Sequence, residues 1–282
     1  MHAHRHDRPA RGYIPALRRA STRRLRRRYV GWSLSLATIG DKMNTYRRLA
    51  LIGGVLWLIT FVTSIPAFFI FYAPALNDVD YIVGTGEDAM VATGALLEML
   101  LILANVGTAL AFLPILRRQN YALAHGYLAA RIMECVFIAV GIVSMLALLT
   151  LRSDGTEGSE GLITAGRSLV AIHDATFLLG PGFMVGVGNG LILGYLMYRS
   201  GLVPRGLAVL ALVGGPLIII SWILVMYDVI DAQSAVQGPM SLPEALWELS
   251  LGLYLVFKGF KPAPILSDAS PPDRERTAYQ AA

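Results

Sequence analysis

The chain has 282 residues, 55% of them hydrophobic and 15% charged, with a mean hydropathy of +0.56. Soluble domains carry about 25% charged residues, so this composition excludes an ordinary water-soluble domain. The formal charge of +5 is lopsided: 13 of the 24 Lys/Arg lie within residues 1–48 against Asp7 and Asp41, leaving 11 basic and 17 acidic residues for the rest.

Residues 1–42 read as a separate basic tail, disordered. Arg18–Arg28 is densely basic, and the apolar stretch Val30–Ile39 is too short to span a bilayer. That brief run, followed by Asp41-Lys42, is no signal peptide. One reading of the tail is a polybasic contact with anionic lipid through Arg18–Arg28, at about 1 kcal/mol per basic residue near the surface. The plainer reading, which we prefer, is an idle segment ahead of an alternative start at Met43, where a cationic flank precedes a span. No aromatics interleave the arginines, so nucleic acid is not expected as a partner.

Residues 43–261 form the predicted membrane domain. A helix needs about 20 apolar residues to cross the bilayer core. Six segments approach this: 49–72, 89–116, 122–151, 169–198, 207–227 and 242–257. Ala73-Pro74-Ala75 imitates a cleavage site, but the apolar run before it is too long for a secretory signal, so the first span is an uncleaved anchor. Cys135, the only cysteine, falls inside the third span. It excludes an intrachain disulfide or a Cys-x-x-Cys site and reads as a small apolar core residue.

The fourth span carries Gly182, Gly186, Gly190 and Gly194, a groove without side chains that admits a neighbouring helix. Gly186-Val-Gly-Asn-Gly190 is no nucleotide loop, because it follows no strand and lies within a span. Gly180-Pro181 and Gly214-Gly215-Pro216 are expected to bend their helices. The sixth span is the weakest, being short and holding Glu244 and Glu248. It opens on an apparent capping box, Ser241 with Glu244, with Pro243 in the first turn. Residues 262–282, with Pro271-Pro272 and mixed charge, read as a disordered tail.

The loops set the orientation. One side receives Arg47/Arg48, Arg117/Arg118, Arg199/Arg205 and Lys258/Lys261; the other receives acidic residues, with Arg152 and Arg167 as the exceptions. Short Lys/Arg-rich loops stay cytoplasmic. The expectation is an all-α, polytopic bundle of about six helices in the cell membrane, both termini cytoplasmic.

Four stretches, Arg48–Phe61, Arg131-Ile-Met-Glu134, Tyr195–Arg205 and Lys258-Gly-Phe260, together make the core from about Tyr46 to Lys261 resemble the DUF4386 family. The resemblance implies a bacterial multi-pass membrane protein and supplies no substrate, cofactor or reaction.

Ionisable groups in a bilayer cost about 2.5–3.5 kcal/mol each on insertion scales. At about 1.5 Å per residue, Arg131 falls near the midplane, with Glu98 and Glu134 at a similar level. His173, Asp174 and Glu248 are expected to reach this group from the ends of two other helices, and Asn105 lies nearby. The preferred reading is a structural ion pair: Arg131 and Glu134 are spaced i, i+3 on one helical face, and Arg131 is also in reach of Glu98. A sharper reading makes His173 with carboxylates a divalent metal site, hence a membrane hydrolase. A third makes Glu98, Glu134 and His173 a proton relay or substrate site in a transporter. No cofactor is otherwise expected, and oligomeric state and reaction stay open.

Overall fold

The structure is a computed structural model describing residues 45–78, 80–84, 88–154 and 160–267. The basic tail, Arg18–Arg28 included, and the C-terminal residues from 268 lie outside the described residues. The chain divides into two compact units, Met1–Tyr46 and Arg47–Ala282. Of the first, only Thr45 and Tyr46 are described, as the opening of the first helix.

Among the described residues the fold is entirely helical. In a bilayer every backbone N–H and C=O needs a partner within the protein, and a helix supplies it locally. The main elements are α1 (Thr45–Phe71), the short α2 (Ala73–Asn77), α3 (Asp88–Leu116), α4 (Tyr121–Asp154), α5 (Glu160–Ser200), α6 (Arg205–Met226) and α7 (Gln237–Phe257). Helices α1, α3, α4, α5 and α6 are long and apolar enough to cross a membrane. Helix α7, with Glu244 and Glu248 in its apolar run, is not among them, but it packs along α6 as part of the same bundle.

Two helix starts differ by five residues or more from the sequence expectation. Helix α5 begins at Glu160, nine residues before position 169, because its first turns are too polar to register as a span. Helix α7 begins at Gln237, so Ser241, Pro243 and Glu244 lie inside it and form no capping box. Ser241 Oγ instead accepts a bond from Gln237 Nε2 at 2.8 Å. The turn into α7 is fastened one step earlier, where the Gln237 amide donates to Ser234 Oγ at 3.2 Å.

Parts of α1 and α5 are wound as π-helix, with wider turns. These are Ala67–Phe71, following Pro66, and Leu178–Met184 and Gly186–Leu193, around Pro181. A proline lacks the N–H for the i→i−4 ladder, and local rewinding is one way to accommodate it. In an α-helix a residue four places on is rotated about 40° past its predecessor. The longer π turn offsets that drift and keeps Gly182, Gly186, Gly190 and Gly194 in line.

That line faces α6. A Cβ at Gly186 would lie 2.6 Å from Ile219 Cγ1 and 2.8 Å from the Gly215 carbonyl, and one at Gly194 would lie 2.7 Å from Ala211 Cβ. A Cβ at Gly190 would overlap Gly215 Cα outright. Helices α1 and α7 meet in the same manner, with Gly54 against Gly252 and Leu255.

Both ends of the bundle are tied by arginine. At one end Arg47 donates to the last carbonyls of α7, Leu255 (3.0 Å), which also accepts from the Gly259 N–H, and Val256 (2.7 Å). At the other, the two arginines that break the acidic pattern are paired: Arg152 with Asp88 at 3.0 Å and Arg167 with Asp80 at 3.8 Å. Arg152 also caps the face of Tyr81, 4.4 Å from the ring centroid. Burial holds the Tyr81 phenol above its ordinary range, with Arg152 pulling the other way.

Candidate functional site

A cavity of about 410 Å³ lies within the bundle, walled by residues of α1, α3, α4, α5, α6 and α7. Its polar wall carries four carboxylates, Glu98, Glu134, Glu244 and Glu248, and one guanidinium, Arg131. Helix α3 contributes Glu98 and Asn105 two turns apart, α4 contributes Arg131 and Glu134 one turn apart, and α7 contributes Glu244 and Glu248, again one turn apart.

Three of these residues form a closed unit. Arg131 Nη1 meets Glu134 Oε2 at 2.7 Å, Arg131 Nη2 donates to Asn105 Oδ1, and Asn105 Nδ2 donates to Glu134 Oε1 at 3.0 Å. All three side chains are buried. The guanidinium also stands 5.6 Å from the Trp57 ring centroid. This unit ties α3 to α4 and neutralises its own charge.

Glu98 does not join it. Tyr72 donates to Glu98 Oε2 at 2.9 Å, so the bridge to Arg131 read from the sequence is replaced by a bond to the residue following α1. Tyr72 also stands edge-on to His173, with ring centroids 5.2 Å apart.

His173 and Asp174 depart from their expected places. Because α5 starts at Glu160, His173 is more than three turns inside it, not in a first turn. It is 2% exposed, packed on Phe68 and Tyr72, and absent from the cavity wall. Its Nδ1 has no hydrogen bond, and the nearest carboxylate oxygen, Asp174 Oδ1, is 3.7 Å away. The Asp174 side chain is 64% exposed and does not line this cavity; it lines an adjoining pocket that shares Phe68, Phe177 and Trp222 with it. Among the described residues no three His, Cys, Asp or Glu side chains converge in a way that would hold a metal ion.

Glu248 accepts a bond from Asn189 Nδ2, and the Asn189 carbonyl accepts one from Trp247 Nε1 at 3.2 Å. Glu244 is 1% exposed, and neither of its carboxylate oxygens has a hydrogen-bond partner. Its surroundings are bare backbone: a Cβ at Gly214 would lie 2.8 Å from Oε2, and one at Gly190 would lie 2.9 Å from it. The glycine ladder and Gly214 thus make room for a carboxylate as well as for a helix.

The cavity is also lined by an aromatic wall of Phe68, Phe177 and Trp222. The Phe68–Phe177 ring centroids are 4.6 Å apart and the Phe177–Trp222 centroids 5.7 Å. Sequence reasoning assigned no role to this wall, to Tyr72 or to Asn189, and read Glu244 as a capping residue. The i, i+4 spacing of Glu244 and Glu248, and an asparagine within the glycine ladder, were the available signals.

The family model described as a domain of unknown function, DUF4386, matches residues 52–259. No curated protein and no solved structure matches the chain. With a match over nearly the whole helical bundle, and with five helices able to cross a membrane, the chain belongs to the DUF4386 family and is a multi-pass membrane protein.

Proposed function

We propose that the protein is a proton-coupled transporter of a small solute, lying in the cytoplasmic membrane with both termini on the cytoplasmic side. The observation that carries this reading is the charge imbalance of the cavity. Arg131 pairs with Glu134, which leaves Glu98, Glu244 and Glu248 without an ion-pair contact among the described residues. Each uncompensated charge at that depth costs about 2.5–3.5 kcal/mol. Protons, or a cationic solute exchanging with them, remove that cost, and a structural ion-pair network alone does not require three surplus carboxylates. Within this reading the Arg131–Glu134–Asn105 unit is the fixed framework and the other carboxylates exchange.

The orientation rests on the loops: Arg47, Arg118, Arg205 and Lys261 belong to connections at one end of the helices, and the positive-inside rule assigns that end to the cytoplasm. The bilayer is the expected partner. Any contact of Arg18–Arg28 with anionic lipid belongs to the same proposal.

The test uses proteoliposomes with an imposed pH gradient and a lumenal pH indicator, challenged with a panel of small neutral, anionic and cationic solutes. At least one solute should dissipate the gradient through the wild type and fail to do so through Glu98→Gln. A correctly folded protein that moves no protons with any solute would overturn the reading. The hydrolase alternative requires His173 with several carboxylates at one point, and among the described residues the structure brings only Asp174 within 4 Å of it.

A further inference from the structure

We propose that the cavity takes an organic cation with an apolar or aromatic body, its charge against the Glu244–Glu248 pair and its body against Phe68, Phe177 and Trp222. The inference rests on the reading of this cavity as a solute site and names the class of solute.

Charge comes first. Glu244 is buried with both carboxylate oxygens unpartnered, and Glu248 stands one turn away with a single amide bond from Asn189. The nearest cation, Arg131, is already engaged by Glu134 and Asn105. A neutral solute would leave Glu244 as it is, and an anion would meet three surplus carboxylates. A bare inorganic cation would be served by the carboxylates alone and would have no use for the aromatic wall.

That wall supplies the second argument. Three aromatic rings, with Phe177 packed against both Phe68 and Trp222, line the same cavity. Their negative faces attract a cation within about 6 Å, and such rings are the usual partners of substituted ammonium groups. The volume of about 410 Å³ falls within the range of pockets that enclose a drug-sized molecule.

The rim supplies the third. Helices α1 and α7 touch through Gly54 and Gly252 near one end, while further along both helices contribute exposed apolar residues to the cavity lining. The rim residues Ile65, Phe69 and Leu242 are 49%, 62% and 53% exposed. On α1, which is long and apolar enough to cross a membrane, the exposure of Ile65 and Phe69 is to lipid, where a cation with an apolar body partitions and a hydrophilic one does not.

The experiment measures binding of tetraphenylphosphonium, and of its anionic counterpart of the same shape, tetraphenylborate, to the detergent-purified full chain by calorimetry. Wild type should bind the phosphonium at about one per chain and tetraphenylborate at least tenfold more weakly. Glu244→Gln and Glu248→Gln should each weaken phosphonium binding at least tenfold. Equal affinity for both ions, unchanged binding in Glu244→Gln and Glu248→Gln, or no phosphonium binding would each overturn the proposal. Should the glutamine variants not fold, carbodiimide labelling of the wild type followed by peptide mass spectrometry decides it. Tetraphenylphosphonium should protect Glu244 and Glu248 from modification, and labelling indifferent to it would overturn the assignment. Binding in detergent involves no gradient, so failure here leaves proton coupling standing, and failure of coupling in vesicles leaves the binding result standing.

Discussion

Replacing Arg131 with methionine removes the one cation from the cavity and leaves Glu134 buried beside Asn105. Breaking a buried ion pair from one side costs about 3–5 kcal/mol, because the remaining charge is uncompensated. The contact of the guanidinium with Trp57 adds about 0.5–2 kcal/mol to that loss. A second replacement, Glu134→Leu, removes the stranded charge and should recover most of the cost. Asn105 then loses both partners, and an orphaned buried amide costs about 1–3 kcal/mol. Adding Asn105→Leu removes that group as well and should bring stability close to wild type. The expected order is therefore wild type and triple variant highest, double variant intermediate, single Arg131→Met lowest. Reversible unfolding in mixed micelles, titrated with sodium dodecyl sulfate, measures each. A double variant no more stable than the single one would refute the view that uncompensated charge dominates the cost. A single variant within about 1 kcal/mol of wild type, the range of an ordinary interhelical bond in a membrane, would refute the ion pair as a structural tie.

Gly190→Leu, and less severely Gly186→Leu, should lower the yield of folded protein, since overpacking costs about 1–3 kcal/mol or more and α6 leaves no space for a Cβ at either position; normal thermal stability in both would refute the packing. Gly126→Ala is the control: its Cβ would meet only Ile192 Cδ1 at 3.8 Å, and a gain of up to about 1 kcal/mol is expected from helix propensity, read in the same unfolding assay. Arg152→Gln should loosen the segment Tyr81–Val83, raising its amide exchange, with a global cost of about 1 kcal/mol or less because Asp88 is half exposed; unchanged exchange there would remove Arg152 from its role. Elemental analysis of purified wild type and His173→Ala should give the same, substoichiometric, divalent metal content; near-stoichiometric metal lost in the variant would restore the hydrolase reading.

Segments that are uniformly apolar were easily read from the sequence. The second, third and fifth spans were placed within three residues of their ends, because a bilayer-crossing helix needs little beyond length and apolarity. The two starts that shifted belong to helices whose first turns are polar and are held by tertiary contact. Gly166, for instance, is buried against Ile82, a partner no local pattern reveals. The pairing of Arg131 with Glu134 was legible because i, i+3 spacing fixes geometry within one helix. The partner of Glu98 was not, since Tyr72 reaches it from an element 26 positions earlier and a tyrosine in an apolar run gives no sign of its direction. The position of His173 depended on where α5 begins, so one misplaced start moved a histidine from a membrane edge to the interior.

The contact of α1 with α7 through Gly54 and Gly252 also bears on how the protein is made. The ring of helices closes only when the last one arrives, and that last helix is the one too polar to qualify as a span on composition alone. During synthesis the earlier helices can enter the lipid on their own apolarity, while α7 carries two glutamates and needs a reception already prepared. The amide of Asn189, the bare backbone at Gly190 and Gly214, and the Arg47 guanidinium waiting for the terminal carbonyls provide it. Insertion of α7 is thus an assembly step, templated by chain already in the membrane. A nascent chain halted before residue 237 would leave Asn189, Glu98 and the Arg131–Glu134 pair uncovered, a polar face that lipid cannot satisfy.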